Sequence, residues 1–404
     1  MAAMGARHQG DDVTDTTERT AAEPGDQEVG AMPDELAEEL RTWLSENWDP
    51  ELTVGDWWEL LGLAGWAAPG LPTHAYGRGL GRNDAVRVQT QIAEFGALGA
   101  PGGLGLLLAA PTIATHGTQA QIDLYVRDIV TGRRAWCQLF SEPGAGSDLA
   151  GLACRAERDG DHWVVTGQKT WCSGAHYAHW GILLARTNPK APKNKGITYF
   201  LLDMKSPGIE VCPLRQMTGS SHFSEVFLNE VRIPDTSRLG AEGEGWAAAR
   251  TTLMNERMAI GGMERMFSFD DLRTLLAAKP DGIDGATRDE AARIYTWVRT
   301  LDLLNKRIIT KLGKGMIPTA EASVMKLALA RLISRGSDLA LRALGAGALL
   351  RPGLWQNQFL YAPAFHIGGG TDEIQKNIAA ERVLGLPREP STDREVPFDE
   401  LPRS

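Results

Sequence analysis

The sequence predicts an α+β fold in which a helical region, a strand-rich region and a second helical region follow one another. Three observations carry this. Apolar residues recur at helical spacing up to about Arg134, short runs rich in Val, Ile, Thr and aromatics fill 135–240, and long helical patterns return from Gly245. Segregated blocks of this kind argue against a wound parallel sheet, in which strands and helices alternate.

Taken in order, residues 1–33 are rich in Asp and Glu and poor in apolar side chains. They are expected to be a disordered acidic tail, with neither a signal h-region nor an Arg-rich transit peptide. Residues 34–134, with patterns such as ELAEELRTWLSENW and DAVRVQTQIAEFGALG, are expected to form an N-terminal helical domain. Residues 135–240 read as a small antiparallel β-domain: HWVVTG, GILLART, ITYFLLDM and SEVFLNEVRIP are strand-like, and Asp159-Gly160 signals a hairpin. Residues 241–388 read as a C-terminal helical bundle, and 389–404, rich in Pro and charge, as a loose tail.

The 404 residues suffice for a large core, and 43% hydrophobic with 23% charged residues is ordinary for a globular chain. A net charge of -9 argues against nucleic acid as a partner, since phosphate binding needs a basic face. No apolar run is long enough to span a bilayer. Four cysteines without a CxxC pair suggest a reducing, cytoplasmic setting. His176 and His179 are three apart but lack a third ligand at matching spacing, so no metal site is expected.

Three segments concentrate ligand-binding chemistry. In SEPGAGSDLA, Ser141 to Ala150, two glycines allow close backbone approach to a ligand, while Ser141, Ser147 and Asp148 add polar groups suited to a flavin or a phosphate. In GQKTWCSGA, Trp171 offers a flat face and Ser173 a hydroxyl. In IGGGTDEIQ, a second glycine-rich turn carries Thr371 and Glu373. Neither a Walker sequence nor a GxGxxG following a strand is present.

In this order and spacing, with GLAGWAAPGLP, HFSEVFLNEVRIP and AAERVLGLP beside them, the segments resemble the acyl-CoA dehydrogenase family from about Trp43 to Arg388. The resemblance implies an N-terminal helical domain, a β-domain and a C-terminal four-helix bundle. It also implies an oligomer (dimer or tetramer), bound FAD, an acyl-CoA substrate and an electron-transfer flavoprotein as electron acceptor. Carried over by position, Gln138, Ser141, Trp171 and Ser173 bind the flavin, Gly370, Thr371 and Glu373 approach the FAD ribose and pyrophosphate, and Ser147 lies along the pantetheine arm.

Many members keep the catalytic Glu immediately before the Gly-Thr of the last turn, where this chain has Gly369. A subset, including isovaleryl- and long-chain-type enzymes, carries Glu-Arg on an earlier helix, matched here by Glu256-Arg257. Glu256 also falls on an apolar stripe with Trp246, Ala249, Leu253, Ile260, Met263 and Phe267, and burial there is expected to raise its pKa. Glu256 is therefore the expected base, and the resemblance further implies Arg257 as a substrate contact and Gly369 as a backbone N–H donor to the thioester carbonyl.

Two departures from the family concern the subunit interface. MFSFDDLRTLLAA stands where Arg-x-x-Phe-Gly is expected, and Arg342 where a Gln commonly reaches the partner's FAD. RTNPKAPKNKG, with Arg186, Lys190, Lys193 and Lys195, is expected as a solvated loop and a candidate for the CoA 3′-phosphate. Two alternative functions remain: a flavin-dependent monooxygenase or oxidase on the same fold, and one subunit of an unlike-chain acyl-CoA dehydrogenase complex.

Overall fold

The structure is a computed structural model describing residues 33–259, 267–279, 282–313, 316, 319–350, 352–388, 390, 393 and 395–402. The acidic segment 1–33 thus lies outside the described residues, apart from Pro33.

The N-terminal region is helical, as its periodicity predicts. Helices α1 (Asp34–Asn47), α2 (Val54–Leu63) and α3 (Arg82–Glu94) lead to an interrupted helical stretch. This stretch comprises α4 (Ala110–His116), α5 (Gln119–Gln121) and α6 (Arg127–Val130), with π-helical turns at Gly105–Ala109 and Ile122–Val126. The buried face holds Leu40, Leu44, Trp57, Leu61, Val88 and Ile92, all without solvent exposure. Each indole N–H on α2 finds an acceptor beyond α3: Trp57 donates to the Leu98 carbonyl at 2.7 Å and Trp58 to that of Gly99 at 2.9 Å.

The middle region contains strands β1 (Trp136–Leu139), β2 (Arg155–Asp159), β3 (His162–Ser173), β4 (Trp180–Arg186), β5 (Ile197–Asp203), β6 (Ile209–Leu214), β7 (Phe223–Pro234) and β8 (Arg238–Leu239). They form one sheet in the order β6-β7-β3-β2-β4-β5-β8, with β1 added alongside β4. The expected hairpin is present: Asp159 pairs with His162, and Gly160 occupies the turn at φ 62°. Most pairs are antiparallel as expected, but β1 runs parallel to β4 and β2 meets β4 in parallel register, so the sheet is mixed.

The continuous apolar runs GILLAR and ITYFLL follow from burial on both faces. Ile182, Leu184, Tyr199 and Leu201 join the core of the N-terminal helices, while Leu183, Ala185, Phe200 and Leu202 form a second core on the other side. Between β7 and β8, Asp235 accepts hydrogen bonds from Arg238 Nε and Trp163 Nε1, both at 2.8 Å.

Helix α7 (Gly245–Ala259) packs on β5, on α4 and on the first π-helical turn, and its Ala248 and Ala249 belong to the N-terminal core. The other C-terminal helices are α8 (Phe269–Ala277), α9 (Gly285–Gly313), α10 (Thr319–Leu344), α11 (Gly347–Leu350), α12 (Leu354–Ile367) and α13 (Asp372–Arg382). They build a third core around α10, which packs against α8, α9, α11, α12 and α13.

The described part of the closing segment, expected to be loose, is docked. Phe398 N–H donates to the Ala191 carbonyl and Asp399 N–H to that of Pro189, both at 3.0 Å. The Phe398 ring lies under the Arg186 guanidinium, 3.5 Å from its carbon to the ring centroid.

Candidate functional site

The loop after β1 is shaped by a tight turn in which the N–H and C=O groups of Glu142 and Ala145 bond reciprocally, both at 3.0 Å. Beneath it the Glu142 carboxylate is turned inward. It accepts from the N–H groups of Ala153 at 2.6 Å and Cys154 at 2.9 Å, and from Lys169 Nζ at 2.7 Å. Lys169 is fully buried and also donates to the Phe140 carbonyl at 3.1 Å. This pair ties the glycine loop to the strand carrying Trp171. Neither residue stands out in the sequence except as a charged side chain inside an otherwise apolar or glycine-rich motif.

Ser141 and Trp171 are brought together, because the Thr170 N–H donates to the Ser141 carbonyl at 2.9 Å. A bulge between Lys169 and Cys172 interrupts the pairing of β3 with β7 and turns Trp171 outward. Trp171 has φ 58°, a left-handed conformation costly for an aromatic residue, and is 61% exposed, with an edge-on contact to Phe223 at 5.8 Å. An exposed indole on a strained backbone is the type of feature that binding sites retain. Ser173 lies two residues further along β3, paired with Phe223, and is half-buried. Gln138 is the one half-buried residue of β1, next to Ile182 on β4. Ser147 is exposed at the outer end of the loop.

The basic loop between β4 and β5 differs from its expected solvated form. Arg186 is buried and donates to the carbonyls of Ala150 (2.7 Å), Leu152 (3.0 Å) and Lys193 (3.0 Å), and burial lowers its pKa to about 10. Lys193 Nζ donates to Asp148 at 2.8 Å and Asp393 at 2.5 Å. Burial works against the Lys193 charge, but those two bonds leave its pKa above the usual lysine value. Lys190 and Lys195 are exposed. His179 is likewise engaged, its Nδ1 accepting from the Ala135 N–H at 3.1 Å.

On α7 the buried line runs through Ala248, Ala249 and Thr252. Thr252 Oγ1 lies 2.9 Å from Thr112 Oγ1 and 3.1 Å from the Tyr199 hydroxyl. Glu256 follows one helical turn later and is half-buried, as are Trp246 and Leu253 of the predicted stripe. The Arg257 side chain, together with Ile260 and Met263, lies outside the described residues. Phe267 belongs to the C-terminal core, where its ring packs against Trp355.

The turn between α12 and α13 rests on another set of elements. Gly369 and Gly370 have φ 66° and 87°, and the Gly369 carbonyl accepts from the buried Gln375 Nε2 at 2.9 Å. Thr371 caps α13, its Oγ1 accepting from the Ile374 N–H at 3.2 Å. Glu373 is exposed and 3.5 Å from Lys376. Asp372 contacts His366 at 2.7 Å and Lys326 at 3.2 Å; burial alone would raise its pKa, but these bonds hold it below the ordinary carboxylate value. Arg342 bonds to Glu290 at 2.6 Å and Asp338 at 3.0 Å within the same chain.

Comparison with known proteins matches three family models in succession. These are the N-terminal domain of acyl-CoA dehydrogenases over 28–133, the middle domain over 137–231 and the C-terminal domain over 243–384. Acyl-CoA dehydrogenase FadE34 of Mycobacterium tuberculosis is 46% identical over 288 residues, 69% of this chain but 39% of that protein. The chain therefore spans well under half of that relative. Acyl-CoA dehydrogenase IpdE1 of the same organism is 33% identical over 380 residues, 88% of this chain and 98% of the relative. A solved structure named Tcur3481-Tcur3483 steroid ACAD superposes with a TM-score of 0.72 at 26% identity, covering 88% of this chain and 98% of that one. The ChsE4-ChsE5 complex from Mycobacterium tuberculosis gives 0.68 at 28% identity, over 90% and 100%.

Proposed function

The chain belongs to the acyl-CoA dehydrogenase family, and on that footing we propose that it carries out FAD-dependent α,β-dehydrogenation of an acyl-CoA thioester to the trans-2-enoyl-CoA. The observation that carries the cofactor assignment is Trp171, exposed at φ 58° and tied through Thr170 to Ser141. Its open indole face fits a conjugated ring, and Gln138, Ser141 and Ser173 supply polar contacts around it. A Cβ on Gly144 or Gly146 would meet nothing within 4 Å, so the loop surface is open for a ligand's approach. Gly370, Thr371 and Glu373 are the proposed contacts to ribose and pyrophosphate. When bound, FAD supplies the acceptor for the β-hydride.

Glu256 is the proposed base that takes the α-proton of the substrate. Its place on α7 is fixed by Thr252, whose bonds to Thr112 and Tyr199 anchor the helix one turn earlier. Gly369, lacking a carboxylate, offers its backbone N–H to the developing enolate oxygen. Ser147 and Arg257 are assigned to the CoA-bearing part of the substrate. The electron acceptor is proposed to be an electron-transfer flavoprotein, and the compartment the cytoplasm.

Gly369 and the neighbours named for two chains also support a second arrangement, in which this chain assembles with an unlike acyl-CoA dehydrogenase subunit. The neighbour named as a steroid ACAD favours a bulky acyl group over a short straight one. Anaerobic mixing of the flavin-loaded protein with a panel of acyl-CoA thioesters, for wild type and Glu256→Gln, tests the proposal. Bleaching of the oxidised flavin band is expected for wild type alone. Retained turnover in the Gln variant would overturn the base assignment.

A further inference from the structure

His366, in the last turn of α12, and Asp372, in the first turn of α13, flank the glycine turn and meet across it at 2.7 Å between Nδ1 and Oδ2. Each is also tied to α10: His366 Nε2 lies 2.9 Å from Ser334 Oγ, and Lys326 Nζ donates to Asp372 Oδ1 at 3.2 Å. The result is a four-residue chain, Ser334···His366···Asp372···Lys326, that begins and ends on one helix. The turn it spans contains consecutive glycines at φ 66° and 87°, the residue type that fixes its own backbone least. Gln375 holds that turn from beneath through the Gly369 carbonyl.

The Ser–His–Asp order invites a nucleophilic triad, but the surroundings oppose it. Ser334 lies inside α10, where the backbone N–H groups are committed to the helix rather than free to form an oxyanion hole. Asp372, moreover, shares its charge with the buried Lys326.

We infer that His366 and Asp372 form a clasp that sets the conformation of the Gly368–Thr371 turn, making both positioning residues for the ligands assigned to that turn. The ligand assignment rests on the function proposed above; the clasp rests on the hydrogen bonds alone. Its essential bond joins His366 Nδ1 to Asp372, and the Ser334 contact is accessory.

Four variants of the flavin-loaded protein separate these roles. His366→Asn keeps an N–H near the Nδ1 position, whereas His366→Gln places its amide near Nε2 and loses the Asp372 bond. Asp372→Asn weakens the clasp from the other side, and Ser334→Ala removes only the accessory contact. Hydrogen–deuterium exchange of the peptide containing Gly368–Thr371 is expected to speed up on the order of tenfold in His366→Gln and Asp372→Asn, and to stay within about twofold in His366→Asn and Ser334→Ala. Flavin reduction by acyl-CoA should slow in the first two variants; the melting temperature should stay within about 2 °C of wild type in His366→Gln, whereas Asp372→Asn, which also leaves the buried Lys326 without its counter-charge, should melt lower. Unchanged exchange in His366→Gln and Asp372→Asn overturns the clasp, as does a loss in Ser334→Ala equal to theirs. Should no acyl-CoA reduce the wild-type flavin, the proposed reaction fails while the exchange measurement still judges the clasp.

Discussion

Lys169 Nζ lies 2.7 Å from Glu142 Oε1 with the lysine fully buried, so a cation and an anion are sealed beneath the loop proposed to hold the flavin. Such a pair stabilises little relative to an apolar pair, because both groups lose their hydration; breaking it is another matter.

Lys169→Met should therefore destabilise the protein by about 3–5 kcal/mol, by leaving the Glu142 carboxylate buried without a counter-charge. Denaturant unfolding checks this. Adding Glu142→Gln to Lys169→Met should restore part of the loss, since the remaining group is neutral; equal stability of the single and double variants would show that charge is not the cause.

Trp171→Gly should separate stability from cofactor retention. Glycine adopts φ 58° without the strain of about 1–2 kcal/mol that a side chain incurs there, which offsets the lost edge contact to Phe223 of about 0.5–1.5 kcal/mol. The melting temperature should hardly change, while flavin dissociation followed by fluorescence accelerates. Unaltered dissociation would remove Trp171 from the flavin site.

Gly369→Ala and Gly369→Glu should both cost about 1–2 kcal/mol, because φ 66° is unfavourable to any side chain. Equal losses in thermal unfolding would trace the cost to the backbone rather than to the added carboxylate.

Stability should also fall in acid through Asp235. Hydrogen bonds from Arg238 and Trp163 lower its pKa to about 2, below the value of roughly 3.9 of an unfolded aspartate. A depressed pKa contributes stability that is complete above the unfolded value and is lost as pH falls through about 4 towards 2. The contribution is on the order of 2 kcal/mol. Asp235→Asn should flatten the pH dependence of unfolding in that window.

The order of helical and strand regions was legible because periodicities of 3.6 and 2 are local properties of the chain, and Asp159-Gly160 marked its own turn. Trp171 and the glycine loop were singled out by residue type, and the flavin assigned to them follows from the family resemblance. Glu142 with Lys169 and Arg186 with Phe398 were not, because each pair joins segments with no shared periodicity. The basic loop is solvated at Lys190 and Lys195 as expected, but Lys193 looked equally available until Asp148 and Asp393 came within reach of it. The clasp at His366 depends on where α10 passes, which no spacing within IGGGTDEIQ records.

The bond from Lys193 to Asp393 spans 200 residues of sequence, and Phe398 seals Arg186 from a similar distance. Contacts of such separation form late in folding, after the intervening chain has become compact. The loop beside Asp148 should accordingly be among the last parts to gain protection during refolding, and an isolated fragment 135–240 should lack it even if its sheet assembles.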